Sequence, residues 1–170
     1  MTSKHSSPGD PDIVIRPARI EDAATLARLA NELDLDQGGS GRVYDPAILR
    51  RDAFGPDPAV GLIIAERRGV GVGYAMFCDF YNSDKALRGV FLNDLYVAPE
   101  ARRSGLGRGL MAAVAREARA RGGGCIWWGV YSANRGARDF YQSLGARDED
   151  ARILELDGEA FTALCGERPD

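Results

Sequence analysis

Apolar side chains recur along this chain with two different periods, and the switching between them lays out the expected elements. Residues 12–16 alternate and are rich in β-branched side chains, which predicts a first strand ended by Pro17. Over 21–35, Leu26, Leu29, Ala30 and Leu33 fall at helical spacing, with Glu21 and Asp22 in the first turn. The Gly-rich stretch 37–42 must be a loop, and Pro46 opens a short helix reaching Phe54. After a turn at 55–58, strands follow over 60–66 and 71–80, joined by a tight turn at Arg68 and Gly69. A further strand, 88–97, is ended by Pro99.

Leu106, Leu110, Val114 and Ala118 recur every four residues, which predicts a helix over 106–121 that the glycines of 122–124 terminate. Residues 125–131 form an apolar, aromatic strand, and 134–144 a helix with Gly145 after it. A last strand is expected over 151–156 and a short helix over 159–164. The resulting class is α/β: a mixed, mostly antiparallel central sheet with helices on both faces. The strands flanking the 106–121 helix should be parallel, because a helical crossover joins them. No repeat and no second domain are seen. A single domain over 13–165 lies between an N-terminal tail, 1–12, and a C-terminal tail, 166–170.

Charge and rare residues narrow the chemistry. The net charge is −3, which argues against a nucleic-acid scaffold and fits a small cationic substrate. Cys78, Cys125 and Cys165 are far apart, odd in number and form no CxxC pair, so neither a zinc ribbon nor a dithiol site is indicated. A reducing, cytoplasmic setting is the simple reading. The only histidine, His5, sits in the Ser/Gly/Pro/Asp-rich tail, expected to be disordered, which excludes Ser-His-Asp triads and HExxH metal sites. That tail has no apolar run, so no signal peptide or membrane anchor is expected there.

Two stretches carry chemistry. The first runs from Leu95, Tyr96 and Val97 through Arg102, Arg103, Ser104, Gly105, Leu106, Gly107 and Arg108. A strand ends, a short loop with two arginines and two glycines follows, and a long helix begins. The first N–H groups of that helix lack intrahelical partners, and the dipole favours an anion there, so the stretch is a pyrophosphate cradle. It is neither a Walker A loop nor a GxGxxG fingerprint. The second stretch follows a later strand. Asn134 stands where an N-cap belongs, and Ala137, Phe140, Tyr141 and Leu144 share one helical face. Asn134 and Tyr141 lie about 10.5 Å apart along the axis.

Both stretches resemble signatures of the GNAT acetyltransferase superfamily. Arg102 to Gly107 is similar to its Arg/Gln-x-x-Gly-x-Gly/Ala pattern, and Asn134 to Gly145 to its second signature, in the right order one helix and one strand later. The resemblance runs from about Ile13 to Leu164 and implies the GNAT fold and acetyl-coenzyme A as cofactor. It places the pyrophosphate on the 102–108 amides and pantetheine along the backbone of Leu95 and Val97. It gives Asn134 and Ala137 cofactor contacts, and Tyr141 the role of acid for the leaving thiolate.

Within that superfamily, the residues 91–97 and the segment from Gly145 to Phe161 look like spermidine/spermine and related diamine or thialysine N-acetyltransferases. Asn93 stands where those enzymes carry a glutamate that binds and deprotonates the amine, and Ala133 where relatives often have Trp. An amide cannot act as a base at neutral pH. Asp94 is adjacent, although strand alternation points it to the opposite face. Proton removal is therefore expected through ordered water or an acid of the first helix and loop. Glu32, Asp34 and Asp36, with Gln37, form an acidic helix end suited to a cationic amine. Tyr44 and the 79–84 loop are further expected pocket linings. The expected activity is acetyl transfer to a primary amine, a diamine, polyamine or lysine analogue. A peptide, protein or aminoglycoside acceptor stays open, as does a non-catalytic coenzyme A-binding module. The resemblance also implies a homodimer.

Overall fold

The computed structural model describes residues 12–149 and 153–166, so the expected tails lie outside the described residues except for Asp12 and Gly166. The chain forms two compact units, one ending at Trp128 and one beginning at Gly129.

The N-terminal unit is built on a sheet of five strands among the described residues. They are β1 (Ile13–Pro17), β2 (Gly61–Arg67), β3 (Val70–Asn82), β4 (Leu87–Val97) and β5 (Cys125–Trp127), in that spatial order. The first four make an antiparallel meander, and β4 and β5 run parallel. Arg68 and Gly69, with φ of 52° and 77°, make the β2–β3 turn in the left-handed conformation that matches strand twist. Helix α1 (Ala23–Asp36) and helix α2 (Pro46–Phe54) follow β1, and α3 (Leu106–Ala120) joins β4 to β5.

Alternation along the strands sorts the core into two layers. Leu62, Ile64, Tyr74, Met76 and Tyr96 pack with Leu26, Leu29 and Ala30 of α1 and Leu49 of α2. The other face takes α3: a Cβ on Gly73 would sit 3.4 Å from Leu110 Cδ1, and one on Gly109 would sit 2.5 Å from Ile15 Cδ1. Gly109 thus lets α3 approach β1 closely. An ion network that the periodicity does not announce ties the N-terminal edge together. Arg16 donates to Asp22 and to Glu66, both at 2.7 Å, and holds the Asp22 carboxyl below its ordinary range.

The C-terminal unit holds α4 (Arg135–Ser143) and α5 (Gly158–Gly166). Two sequence expectations are corrected here. The strand expected over 125–131 stops at Trp127. Its pairing with β4 covers only Gly89–Phe91, just before β4 bulges at Asn93, and a bulge bends a strand out of register. The strand expected over 151–156 is not formed at 153–156; Ala151 and Arg152 lie outside the described residues. Ile153 and Leu154 are consecutive and both exposed, at 76% and 89%. Side chains pointing both ways do not bury one face, and without that burial the apolar run does not select a strand pairing. Among the described residues no helix is long and apolar enough to cross a membrane.

Candidate active site

The unequal lengths of β4 and β5 create the central feature. β4 has 11 residues and β5 has three. Beyond Phe91, β4 keeps β3 on one side and has no strand on the other among the described residues. The direction of its backbone groups follows from two hydrogen bonds. Ala98 N–H donates to Val72 O of β3 at 2.9 Å, so Tyr96 and Asp94 also turn their main-chain groups toward β3. Leu95 and Val97 therefore present theirs to the open edge. In agreement, the Val97 carbonyl accepts from Arg102 Nε at 2.8 Å rather than from β3.

This edge runs directly into the start of α3. A 3-10 turn at Pro99–Ala101 buries Ala101 fully, and Ser104 Oγ donates to Ala101 O at 2.6 Å. Arg103 (φ 60°) and Gly105 (φ 84°) are left-handed, which reverses the chain sharply enough for Leu106 to enter the core, where it is 2% exposed. The first intrahelical bond runs from Gly109 N–H to Gly105 O, 3.0 Å. The N–H groups of Leu106 and Gly107 precede it, and Gly105 at the N-cap carries no capping side chain. A Cβ on Gly105 would meet nothing within 4 Å, so the space beside Gly105 is open. Open amides at the positive end of a helix dipole suit an anion such as a diphosphate. Arg103, Ser104 and Arg108 are exposed around it.

Arg102 is oriented differently. Its guanidinium bonds Val97 O, pairs with Asp36 Oδ2 at 2.6 Å and lies 5.8 Å from the Tyr96 ring centroid. One residue expected at the cofactor and one expected at the substrate are thus tied to each other. The rest of the α1 acidic end is likewise engaged. Asp34 Oδ2 accepts from Gly41 N–H at 2.7 Å and its carboxylate fills the space a Cβ on Gly39 would need, so it shapes the glycine loop. Glu32 pairs with Arg28 and bonds the Tyr96 hydroxyl. Burial first, then Glu32 and Asp36, push the Tyr96 phenol up to about 12. Gln37 caps α1 through its backbone and its side chain is exposed.

The carboxylate left facing the α1 side of the sheet is Asp94. Asn93 is the extra residue of the bulge: Met76 pairs with Asp94 and Phe77 with Leu92, so Asn93 has no partner and is exposed. The bulge breaks the simple alternation on which the two neighbours were separated. Asp94 stands beside Tyr74, whose hydroxyl donates to Asp94 Oδ2 at 2.8 Å. Burial raises the Asp94 carboxyl, and the Tyr74 bond opposes that rise. Tyr74 itself, 1% exposed, is pushed far above an ordinary phenol by burial and by Asp94. Tyr44, named from the sequence as a lining residue, lies here, with its hydroxyl 3.8 Å from Met76 Sδ. Tyr74 carries no chemical signature in the sequence, since an aromatic at an inward strand position reads as core. Asp79, at the other end of β3, pairs with Arg121 beside a cavity of about 380 Å³.

In the C-terminal unit, Asn134 Oδ1 accepts from Ala137 N–H at 3.0 Å and caps α4 as its position predicts. Ala137, Phe140, Tyr141 and Leu144 are the partly buried stripe of that helix, and the Phe140 and Tyr141 ring centroids are 5.2 Å apart. Burial pushes the Tyr141 phenol up to about 12.

Comparison with known proteins agrees with this geometry. Residues 26–146 match the Acetyltransferase (GNAT) family. The chain is 31% identical over 167 residues to thialysine N-epsilon-acetyltransferase of Bos taurus, covering 91% of this chain and 98% of that protein. It is also 31% identical over 115 residues to L-ornithine N5-acetyltransferase of Arabidopsis thaliana, covering 67% of this chain and 47% of that one. Among solved structures, an integron cassette protein from V. cholerae superposes with a TM-score of 0.77 at 21% identity, over 93% of this chain and 100% of that one. An aminoglycoside N-acetyltransferase in complex with CoA gives a TM-score of 0.71 at 20% identity, over 89% and 99%. With the family matched over most of its length, this chain belongs to the GNAT acetyltransferases and is an N-acetyltransferase.

Proposed function

We propose that the protein transfers the acetyl group of acetyl-coenzyme A directly to a primary amine of a small cationic compound, a diamine, polyamine or lysine analogue. The observation that carries this reading is the open β4 edge running into the uncapped start of α3. An extended chain ending in a diphosphate can add to that edge as a strand does, through the backbone of Leu95 and Val97. Its phosphates meet the amides of Gly105, Leu106, Gly107 and Arg108, with Arg103 and Ser104 alongside. Asn134 and Ala137 are assigned to the same cofactor on the second signature. The relatives named for thialysine and ornithine acetylation support an acceptor with an alkylamine end.

When bound, the thioester supplies the acyl carbon and a leaving sulfur. The side chains supply the proton transfers. A lysine-like ammonium has a pKa near 10.4, so presenting it neutral at pH 7 costs roughly 4–5 kcal/mol. Asp94 takes that proton. It is the strand carboxylate not engaged by an arginine, and burial strengthens it as a base. Asn93 contributes hydrogen bonding only. The Val97 N–H, directed to the open edge, stabilises the carbonyl oxygen as charge develops. On the second signature Tyr141 is assigned the proton for the departing sulfur, and the attacking nitrogen loses its second N–H proton to solvent, from which the phenol is restored; a phenol raised to about 12 stays protonated throughout the neutral range. Asp34, Asp36 and Gln37 shape the acceptor side from a distance. The protein acts as a homodimer through the C-terminal unit, where Ile153, Leu154 and Phe161 are exposed apolar side chains.

The test is mass spectrometry of products over an amine panel with acetyl-coenzyme A, beside calorimetric titration with coenzyme A. Binding with acetylation of free amines is the expected result. No affinity for coenzyme A removes the reading entirely; affinity without amine acetylation removes the small-amine acceptor.

A further inference from the structure

Asn31, on α1, makes an unusual pair of bonds. Its Nδ2 donates to the Tyr44 carbonyl at 2.8 Å, and its Oδ1 accepts from the Tyr44 N–H at 2.9 Å. One side-chain amide therefore satisfies both main-chain groups of a residue lying in the connection between α1 and α2. The residues before it, 37–43, are exposed except for a half-buried Gly41. Tyr44, in contrast, is half-buried and packs against the α1-side core. The clamp holds one aromatic of a loose connection against the sheet.

The clamp sets Tyr44 close enough to Asp94 to feel its charge. The Tyr44 hydroxyl reaches Met76 Sδ, and Met76 is the β3 partner of Asp94. A thioether is a weak acceptor, so this phenol, buried on its ring, lacks a strong hydrogen-bond partner there. Burial and the Asp94 charge, then Asp52, raise its pKa, which keeps it a neutral hydroxyl with lone pairs to offer. On the carboxylate, Tyr74 occupies Oδ2. Among the described residues no other hydrogen bond to Asp94 is formed, which leaves Oδ1 for an incoming donor.

We propose that the ammonium group of the acceptor is received between Asp94 Oδ1 and the Tyr44 hydroxyl oxygen, and that Asn31 is the positioning residue that fixes Tyr44 for this contact. This rests on the amine-acetyltransferase reading given above. Two acceptors engage two of the three N–H donors of a primary ammonium, so the pair selects primary amines over their N,N-dimethylated counterparts, which keep one N–H.

The test is steady-state kinetics with the best primary amine as substrate and its N,N-dimethyl derivative as competitive inhibitor. Tyr44→Phe keeps the ring and its packing. It should lower kcat/KM for the primary amine about tenfold, the value of one hydrogen bond to a charged group. The KM for acetyl-coenzyme A should be unchanged, and the ratio of the dimethylated amine's inhibition constant to the primary amine's KM should shrink. Asn31→Ala should act in the same direction, yet add nothing in the Tyr44→Phe background, because it works through Tyr44. Melting temperatures confirm that each variant is folded, and Asn31→Ser stands in if Asn31→Ala is not. Unchanged kinetics in Tyr44→Phe, or losses that multiply in the double variant, overturn this proposal while leaving the amine acetylation intact. A wild-type protein that acetylates no amine overturns both.

Discussion

The start of α3 and the end of α1 lie at opposite extremes of how a binding surface can be made. At the start of α3 the useful groups are backbone amides. They are available because Gly105 and Arg103 adopt left-handed conformations and because the first turn of any helix has N–H groups to spare. No partner elsewhere in the fold is needed to create them. At the end of α1 the groups are carboxylates, and each has found a partner: Arg28 and Tyr96 for Glu32, Gly41 for Asp34, Arg102 for Asp36. A motif built from backbone survives folding unchanged, whereas a cluster of charges is reassigned by whatever folding brings near it.

The sharpest way to test this contrast is to neutralise Asp94, a strand carboxylate bonded by the Tyr74 hydroxyl rather than by an arginine. Asp94→Asn should lower kcat/KM for the amine by about 100-fold or more, the lower end of general-base effects, with coenzyme A affinity unchanged. The pH profile gives a second reading. Burial holds the Asp94 pKa above 3.8, so the folded protein binds this proton more tightly than the unfolded chain. The contribution of this group to stability is therefore present at low pH and lost as pH rises through the folded pKa. Accordingly, the base should be lost on acidification at a higher pH than an ordinary aspartate, and that limb should vanish in Asp94→Asn. The same variant should melt no lower than wild type at neutral pH, because the uncharged amide avoids the burial cost and still accepts from Tyr74. A large fall in melting temperature would mean the carboxylate is structural.

A smaller effect is expected on the other side of the comparison. Gly105→Ala forces a side chain into a left-handed conformation at a cost of roughly 1–2 kcal/mol, which corresponds to about a tenfold change. It should weaken coenzyme A binding by up to that factor in calorimetry, with the amine KM little altered. An equal loss of amine affinity would show that the two surfaces are not separable.

The smallest effects belong to the acidic helix end. Asp36→Asn and Arg102→Ala break an exposed pair worth about 0.2–1 kcal/mol. Asp34→Ala loosens the glycine loop and should cost about 1 kcal/mol of stability by denaturant titration. None should raise the amine KM more than about twofold. A tenfold rise in any of them would restore that cluster to the acceptor site.

The elements with strong periodicity were legible from residue pattern alone. Leu106, Leu110, Val114 and Ala118 are all buried, and the parallel pairing across the α3 crossover follows from chain connectivity. The weaker signals failed for physical reasons. Ile153 and Leu154 look like strand residues, yet a strand exists only where a second backbone answers it. The β4 bulge at Asn93 also left no compositional trace, so alternation assigned Asp94 without knowing that the register would slip there. Asn31 and Tyr44, 13 residues apart, have no reason to be paired until α1 and its following loop are folded.

What the sequence by itself determined is the scaffold and the glycine-containing turn into α3, since periodicity, glycine and the spare amides of a helix start are local properties of the chain. Only the tertiary structure decided which partner each carboxylate meets. The partner of a charge, and the water removed from around it, depend on residues tens of positions away: Asp36 on Arg102, Asp94 on Tyr74. Long-range neighbours set both the energy and the availability of an ionisable group, and no local pattern encodes them.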